Sequence, residues 1–433
     1  MTKISFTAAG DYVAQKKLVA DYEGFEDVRD FISQGDVRFF NYESTIPTDA
    51  SFGNQFHGGT YMRSGEESVT DALSYGFNIT SCANNHTLDY SYDGLLNTLS
   101  VLEKYNLPSA GVGRNLDEAA APAYITSKNG RVALISVVST MVNEAAMAGK
   151  QSRRVPGRPG INGLRVKEKL LISKEQMKSI KDIVEQSHVT SREDIMRDEG
   201  WLPQLNSNEI EIKKLIFEEY DGDSAIYQRS INEQDLNRVL SAISEAKKAS
   251  DEVIISVHTH ELSGNSKENP ADFISEFAHL CIDAGACAII GHGPHLLRPL
   301  EIYKGAPIFY SLGNFFFQEE VTEFAPEDLY ESYGLTSDAG MQELYRVRTK
   351  DYTRGLLADP RFLESVIPYF EVEDGKTTKL LLYPIELGYG KSRWEVGIPT
   401  PAKDDKILHR LAKLSEAFGT KINIKNGVGE VVL

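Results

Sequence analysis

The chain has 433 residues, 46 Lys and Arg against 63 Asp and Glu, a formal net charge of −17 and a hydrophobic content of 41%. This is an ordinary globular composition, long enough for a large core and two or three domains. Its acidity argues against a general nucleic-acid binder, because phosphate backbones attract cations. No run approaches the ~18 apolar residues of a membrane span, and the start, MTKISFTAAGD, reads as a strand rather than a signal peptide. In chain order, the pattern predicts a strand over 4–9 ending at Gly10-Asp11, and a strand over 37–41 ending at Glu43. A helix is expected over 68–74, then a strand over 77–82 ending at Asn84-Asn85-His86. Leu95, Leu99 and Leu102 recur at helical spacing within 93–105. Residues 131–138 (RVALISVV) read as a buried strand. The alternation predicts an α/β architecture with helices packed over sheets.

An insert follows, roughly 145–240. Residues 150–169 hold Lys150, Arg153, Arg154, Arg158, Arg165, Lys167 and Lys169 against Glu168, a net +6, and VPGRPGING reads as a loop. Residues 182–223 carry twelve acids against four bases, a net −8, and look helical and solvated. The earlier pattern then resumes: a strand to His258, a helix over 271–285, and strands over 287–292 and 307–314. The tail, 321–433, is expected to pack on the main domain, with two strands joined at Asp374-Gly375 and a helix near 403–417.

The strands deliver polar groups where they end. Asp11, Glu43, Asn85 with His86, His258 with His260, and His292 with His295 all occupy such positions. Ligands gather at the carboxyl ends of strands in open α/β sheets. Mixed carboxylate, amide and imidazole sets suit Mn, Fe or Zn rather than Ca. Five of the nine histidines fall in these three short motifs. The three cysteines, Cys82, Cys281 and Cys287, are too scattered for a disulfide framework or a CxxC zinc site, so a reducing, cytoplasmic compartment is expected.

Several motifs occur in order: AAGD at 8–11, NYES at 41–44, ANNHTLDYS at 83–91, GVGRN at 111–115, GRPGING at 157–163, SVHTHE at 256–261 and IIGHGPHLLRPLEIYKGAPIFYSLGNFFF at 289–317. In these the chain resembles the CapA family of capsule and poly-γ-glutamate synthesis, which belongs to the calcineurin-like metallophosphoesterase superfamily. The resemblance implies a four-layer α/β/β/α sandwich with an inserted helical segment. It implies a CapA-like domain over 1–320, with the insert at about 145–240, and a C-terminal extension over 321–433. It also implies one or two divalent transition metals (Mn, Fe or Zn). Asp11, Glu43, Asn85, His258, His292 and His295 would be ligands, Glu43 in the bridging place. His86 would be the acid, oriented by Asp89.

Three departures mark this chain. The family's GHHPH has Gly293 in its middle, its HWG reads His258-Thr259-His260, and Val13 stands where a histidine usually follows the first aspartate. His260 is therefore a candidate ligand or substrate contact, and Glu261 a candidate acid or base beside the substrate. Arginines clamp carboxylates and phosphates, so Arg114, Arg153, Arg154, Arg158 and Arg165 are candidate contacts to an anionic small-molecule or oligomeric substrate. The expected function is a metal-dependent hydrolase of a phosphoester or γ-glutamyl amide. The alternative is a non-catalytic protein that binds poly-γ-glutamate or assists capsule assembly.

Overall fold

The computed structural model describes residues 3–18, 22–323 and 325–433. It divides into two compact units: one from the chain up to Leu164 together with Asp235–Leu433, and a second of Arg165–Gln234.

The larger unit is a mixed α/β structure built on two main sheets. In the first, Lys3–Val13, Val37–Tyr42, Ile79–Ser81 and Ser109–Ala110 run parallel in that order. Ile4, Phe6 and Ala8 alternate onto one buried face of the opening strand, as a period of two requires. The tail extends this sheet. Glu364–Glu373 pairs antiparallel with the start of the opening strand, and Lys376–Glu386 pairs with Glu364–Glu373 across the turn at Asp374-Gly375. Ile422–Lys425 and Val428–Val431 complete that edge.

The second sheet runs Leu300–Tyr303, Ala306–Phe309, Ala288–His292, Glu252–His258, Gly130–Val138 and Ala123–Ser127. Its four central strands are parallel and its two edge strands antiparallel. Val132, Leu134, Ile254, Ala288 and Ile290 share one buried cluster with Ile4, Phe6, Val37 and Phe370 of the first sheet. A separate cluster joins Phe40 and Tyr42 to Val28 and Ile32 of the helix Phe25–Ile32, Val69 and Ala72 of the helix Glu67–Ser74, and Leu95, Leu99 and Leu102 of the helix Ser91–Lys104.

PIFYSLGN is not one strand. Ala306–Phe309 belongs to the second sheet, and after a break Asn314–Phe317 pairs with the opening strand of the first. The crossing brings Gly313 against Gly10: Gly313 O accepts the Asp11 N–H at 3.0 Å, and a Cβ on Gly10 would stand 1.8 Å from that carbonyl oxygen. Only glycine admits so close a backbone approach.

The smaller unit corrects the expectation of a purely helical insert. Helices Lys174–Ser187 and Ser191–Asp198 are present, the first opened by a Ser173–Gln176 capping box. A four-stranded sheet accompanies them, in the order Glu209–Ile212, Leu215–Glu219, Val166–Ile172, Ile226–Ile231. The basic stretch therefore ends in a strand, and the acidic stretch turns from helix to strand after Asp198.

Candidate metal centre

Strand register lines up the polar groups. Asp11 stands opposite Asn41 on one side and Asn314 on the other, and Asn41 stands opposite Ser81. In the second sheet His258 stands opposite His292. Asp11, Glu43, His258 and His292 are all fully buried.

Asp11 uses both oxygens. Oδ1 accepts from Asn41 Nδ2 at 2.9 Å and lies 3.5 Å from His292 Nδ1 and 3.8 Å from His258 Nδ1. Oδ2 accepts the Gly293 N–H at 2.9 Å and lies 3.5 Å from His295 Nδ1. Burial disfavours the charge of Asp11, but His292, His295 and His258 together hold its carboxyl well below the usual range.

His258 faces two sets of partners. Its Nδ1 lies 2.9 Å from His292 Nδ1; its Nε2 lies 2.7 Å from Asn85 Oδ1, 3.0 Å from His260 Nε2 and 3.6 Å from Glu43 Oε1. His292 Nε2 is bonded to Ser256 Oγ at 2.7 Å, and its Nδ1 faces the cluster. His295 sits at φ 62, a left-handed conformation costly for a side chain. That backbone aims its Nδ1 at Asn314 Oδ1, 2.9 Å away, and its Nε2 at Glu43 Oε1, 3.7 Å away. Burial pushes the His258, His260 and His295 imidazoles below their ordinary range.

Neither carboxylate oxygen of Glu43 has a hydrogen-bond partner among the described residues, and burial, then the charge of Asp11, pushes its carboxyl far up. An unpaired buried carboxylate is costly unless a cation satisfies it. Three groups could hold one: Asp11 with His258 and His292, Glu43 with His258 and His260, and Asp11 with Glu43 and His295, each with ligand atoms within 4.8 Å of one another. A tetrahedral metal with N and O ligands at about 2.0–2.2 Å spaces them roughly 3.3–3.5 Å apart. The carboxylate–imidazole distances of 3.5–3.8 Å lie at this spacing or up to about 0.3 Å beyond it.

His86 Nδ1 is 2.7 Å from Asp89 Oδ2, and its Nε2 is 4.0 Å from Glu43 Oε1. Asp89 also accepts the N–H groups of Gly58 (2.9 Å) and Met62 (2.7 Å), so it fixes both the ring and the segment lying against it. A cavity of about 190 Å³ opens here, lined by Asn85, His86, His260 and His295 and also by Val13, Lys267, Glu319 and Arg348.

The arginines expected at the substrate do not line this cavity. Arg114 is paired with Glu103 (3.0 Å) and Glu118 (3.4 Å). Arg158 donates to the Met147 carbonyl, and its own carbonyl accepts the Gly149 N–H, which folds the basic loop back on its own neighbours. Arg153 and Arg154 are exposed on that loop, and Arg165 belongs to the second unit. Glu261 is a brace: its Oε2 accepts from Ser139, Thr140 and Thr259, and Thr140 Oγ1 in turn accepts the His260 N–H.

Sequence reasoning passed over Asn41, Ser256, Lys267, Glu319 and Arg348. Asn41 and Ser256 lie inside quoted motifs, so their strand-end positions were the available signal. The other three reach the cavity through tertiary packing alone.

Together these features define an α/β protein with a buried carboxylate–imidazole centre fit for a divalent metal. The chain belongs to the bacterial capsule synthesis protein PGA_cap family, whose model matches residues 5–319. It is 35% identical to the Sinorhizobium fredii protein described as "Uncharacterized protein y4sH", over 99% of this chain and 93% of that one. It is 24% identical to the "PGA biosynthesis protein CapA" of Bacillus subtilis, over 82% and 74% of the two chains. It is 22% identical to the "Capsule biosynthesis protein CapA" of Bacillus anthracis, over 82% and 75%. No described helix is long and apolar enough to cross a membrane.

Proposed function

We propose that the chain is a metal-dependent hydrolase acting on an anionic substrate, a phosphoester or a γ-glutamyl amide, with His86 as the acid. The observation that carries this reading is Glu43: a fully buried carboxylate without a hydrogen-bond partner among the described residues, set among His258, His260 and His295 beside a cavity. We read the two sheets and their helices as the four-layer sandwich of metallo-dependent phosphatases, with Asp11, Glu43, Asn85, His258, His260, His292 and His295 as ligands. A bound Mn, Fe or Zn supplies Lewis acidity and lowers the pKa of water. The residues do the rest. Asp89 accepts the Nδ1–H of His86 and so aims Nε2 at the cavity; as the imidazolium, the ring carries its second proton on Nε2, hands that proton to the leaving group and is left neutral with its Nδ1–H on Asp89. Asn41 and the Gly293 N–H fix Asp11. We place the protein in the cytoplasm on its three free, buried cysteines.

A second reading rests on the relatives' names, which speak of biosynthesis: the centre holds polymer for capsule assembly without turnover. Elemental analysis, with hydrolysis of phosphoester and γ-glutamyl panels, separates the two. Bound metal and turnover lost in His86→Ala, with metal retained, support the enzyme. A protein that binds poly-γ-glutamate and cleaves nothing on either panel sinks it.

A further inference from the structure

Of the two cations lining the metal cavity, Lys267 lies within the family-matched residues 5–319 and Arg348 beyond them. Arg348 closes the helix Gly340–Arg348 and lines the cavity together with Lys267. A second chamber of about 200 Å³ shares Glu319, Arg348 and Leu356 with the first and adds Arg354, Tyr345 and Tyr352.

The local charges sort into two kinds. Arg346 is taken up by Glu343 and Asp351, each at 2.6 Å, and Arg361 by Asp359 and Glu268. Arg348 keeps free donors. Its Nη1 donates to Thr60 Oγ1 and stands 3.7 Å from Glu319 Oε1, while its Nε and Nη2 have no partner among the described residues. Arg354 Nε donates to the Arg348 carbonyl at 3.2 Å, and its two Nη groups have no partner among the described residues. Lys267 Nζ lies 5.0 Å over the Phe362 ring, with no carboxylate partner among the described residues. Glu319, held by the Thr60 hydroxyl at 3.0 Å, stands in the wall common to both chambers and spaces the cations.

Resting on the reading of the centre as a site for an anion, we infer that Lys267, Arg348 and Arg354 form a stepped cationic wall that selects an oligoanion. One charged group of the ligand sits at the metal residues beside Lys267 and Arg348, and the next reaches Arg354. A ligand with one anionic group gives Arg354 nothing to bind. The fork of a guanidinium pairs equally with carboxylates and phosphates, so a γ-linked oligocarboxylate and an oligophosphate share this chemistry.

The test is calorimetric titration of the full chain, with metal content measured on the same samples, using tri-γ-glutamate, tripolyphosphate and inorganic phosphate. Wild type should bind one of the two oligoanions at least about tenfold tighter than phosphate, and the preferred one names the source. Arg354→Ala should erase that margin. Arg348→Ala should cost about 10- to 100-fold, as expected for lost charge-assisted hydrogen bonds, with Arg348→Lys recovering part. Lys350→Ala, exposed on the same segment and lining neither chamber, should bind as wild type does. Oligoanions that bind no tighter than phosphate, or an Arg354→Ala variant that keeps the margin, overturn the wall. If Arg348→Ala fails to fold, Arg354→Ala decides alone. A margin that persists without any turnover defeats the hydrolase and leaves the wall. A margin lost from the outset with turnover intact does the reverse.

Discussion

The Gly293 N–H donates to Asp11 Oδ2 at 2.9 Å and so ties the strand ends of the two sheets together. Gly293 does this at φ 116, and a Cβ there would stand 2.9 Å from Thr259 N and 3.2 Å from His258 Nε2. Gly293→Ala should therefore cost about 1–3 kcal/mol and displace both Asp11 and His258. Thermal melts and elemental analysis check it; a variant with unchanged melting and full metal content would show the tie to be dispensable.

Glu43 predicts a stability trade. Its buried carboxyl lacks a hydrogen-bond partner among the described residues, a situation that costs about 1–3 kcal/mol. Glu43→Gln should melt about 1–3 °C above wild type when both are metal-free. With Mn, Fe or Zn added the order should invert, because only wild type gains the ligand. Melting curves with and without chelator give the answer, and an order that never inverts argues against Glu43 as a ligand.

Asp36 predicts a pH dependence away from the centre. Its Oδ2 accepts from Ser5 N (3.1 Å), Ser5 Oγ (2.8 Å) and Asn129 Nδ2 (2.9 Å). Burial raises its carboxyl, but these donors outweigh burial and lower it from the ordinary 3.8. A carboxyl lowered on folding stabilises above its unfolded value and ceases to do so as pH falls through its folded value. Asp36→Ala should lower the melting temperature by about 1–2 °C at pH 7, and the gap to wild type should close below pH 3.8. Melts at stepped pH test this; a gap that stays constant to pH 2 contradicts it.

The smaller unit predicts a clean excision. Val166 and Ile231 pair in antiparallel strands, and the Asn232 N–H donates to the Arg165 carbonyl at 2.8 Å, so the unit begins and ends at neighbouring points. Replacing 165–234 with a short Gly-Ser linker should leave a protein that unfolds cooperatively and keeps its metal content. A shortened chain without a cooperative melt would mean that the larger unit needs the smaller one to fold.

The strands carrying the centre were legible because each is an apolar run that stops at a polar residue. The break after Phe309 was not, because FYSLGN is strand-like throughout and only its pairing with the Asp11 strand moves Asn314 to the other sheet. The insert's sheet hid in charge: Glu209–Ile212 alternates strictly, yet its acidic residues were read as a solvated helix. The arginines show the limit most sharply. Composition marked the 150–169 loop as cationic, but charge density does not say which way a loop folds. Arg348, with Tyr345 bonded to the Glu319 carbonyl one turn earlier on its helix, is brought to the cavity by packing that no motif records.

His258 turns one nitrogen to Asp11 and His292 and the other to Asn85, His260 and Glu43. A neutral imidazole owns a single lone pair and a single proton. Were Nδ1 to hold an ion, the proton would reside on Nε2, 2.7 Å from Asn85 Oδ1. When Nε2 gives the lone pair, the proton returns to the side of His292. The ring can therefore offer a lone pair to one side of the cluster only while its proton points to the other.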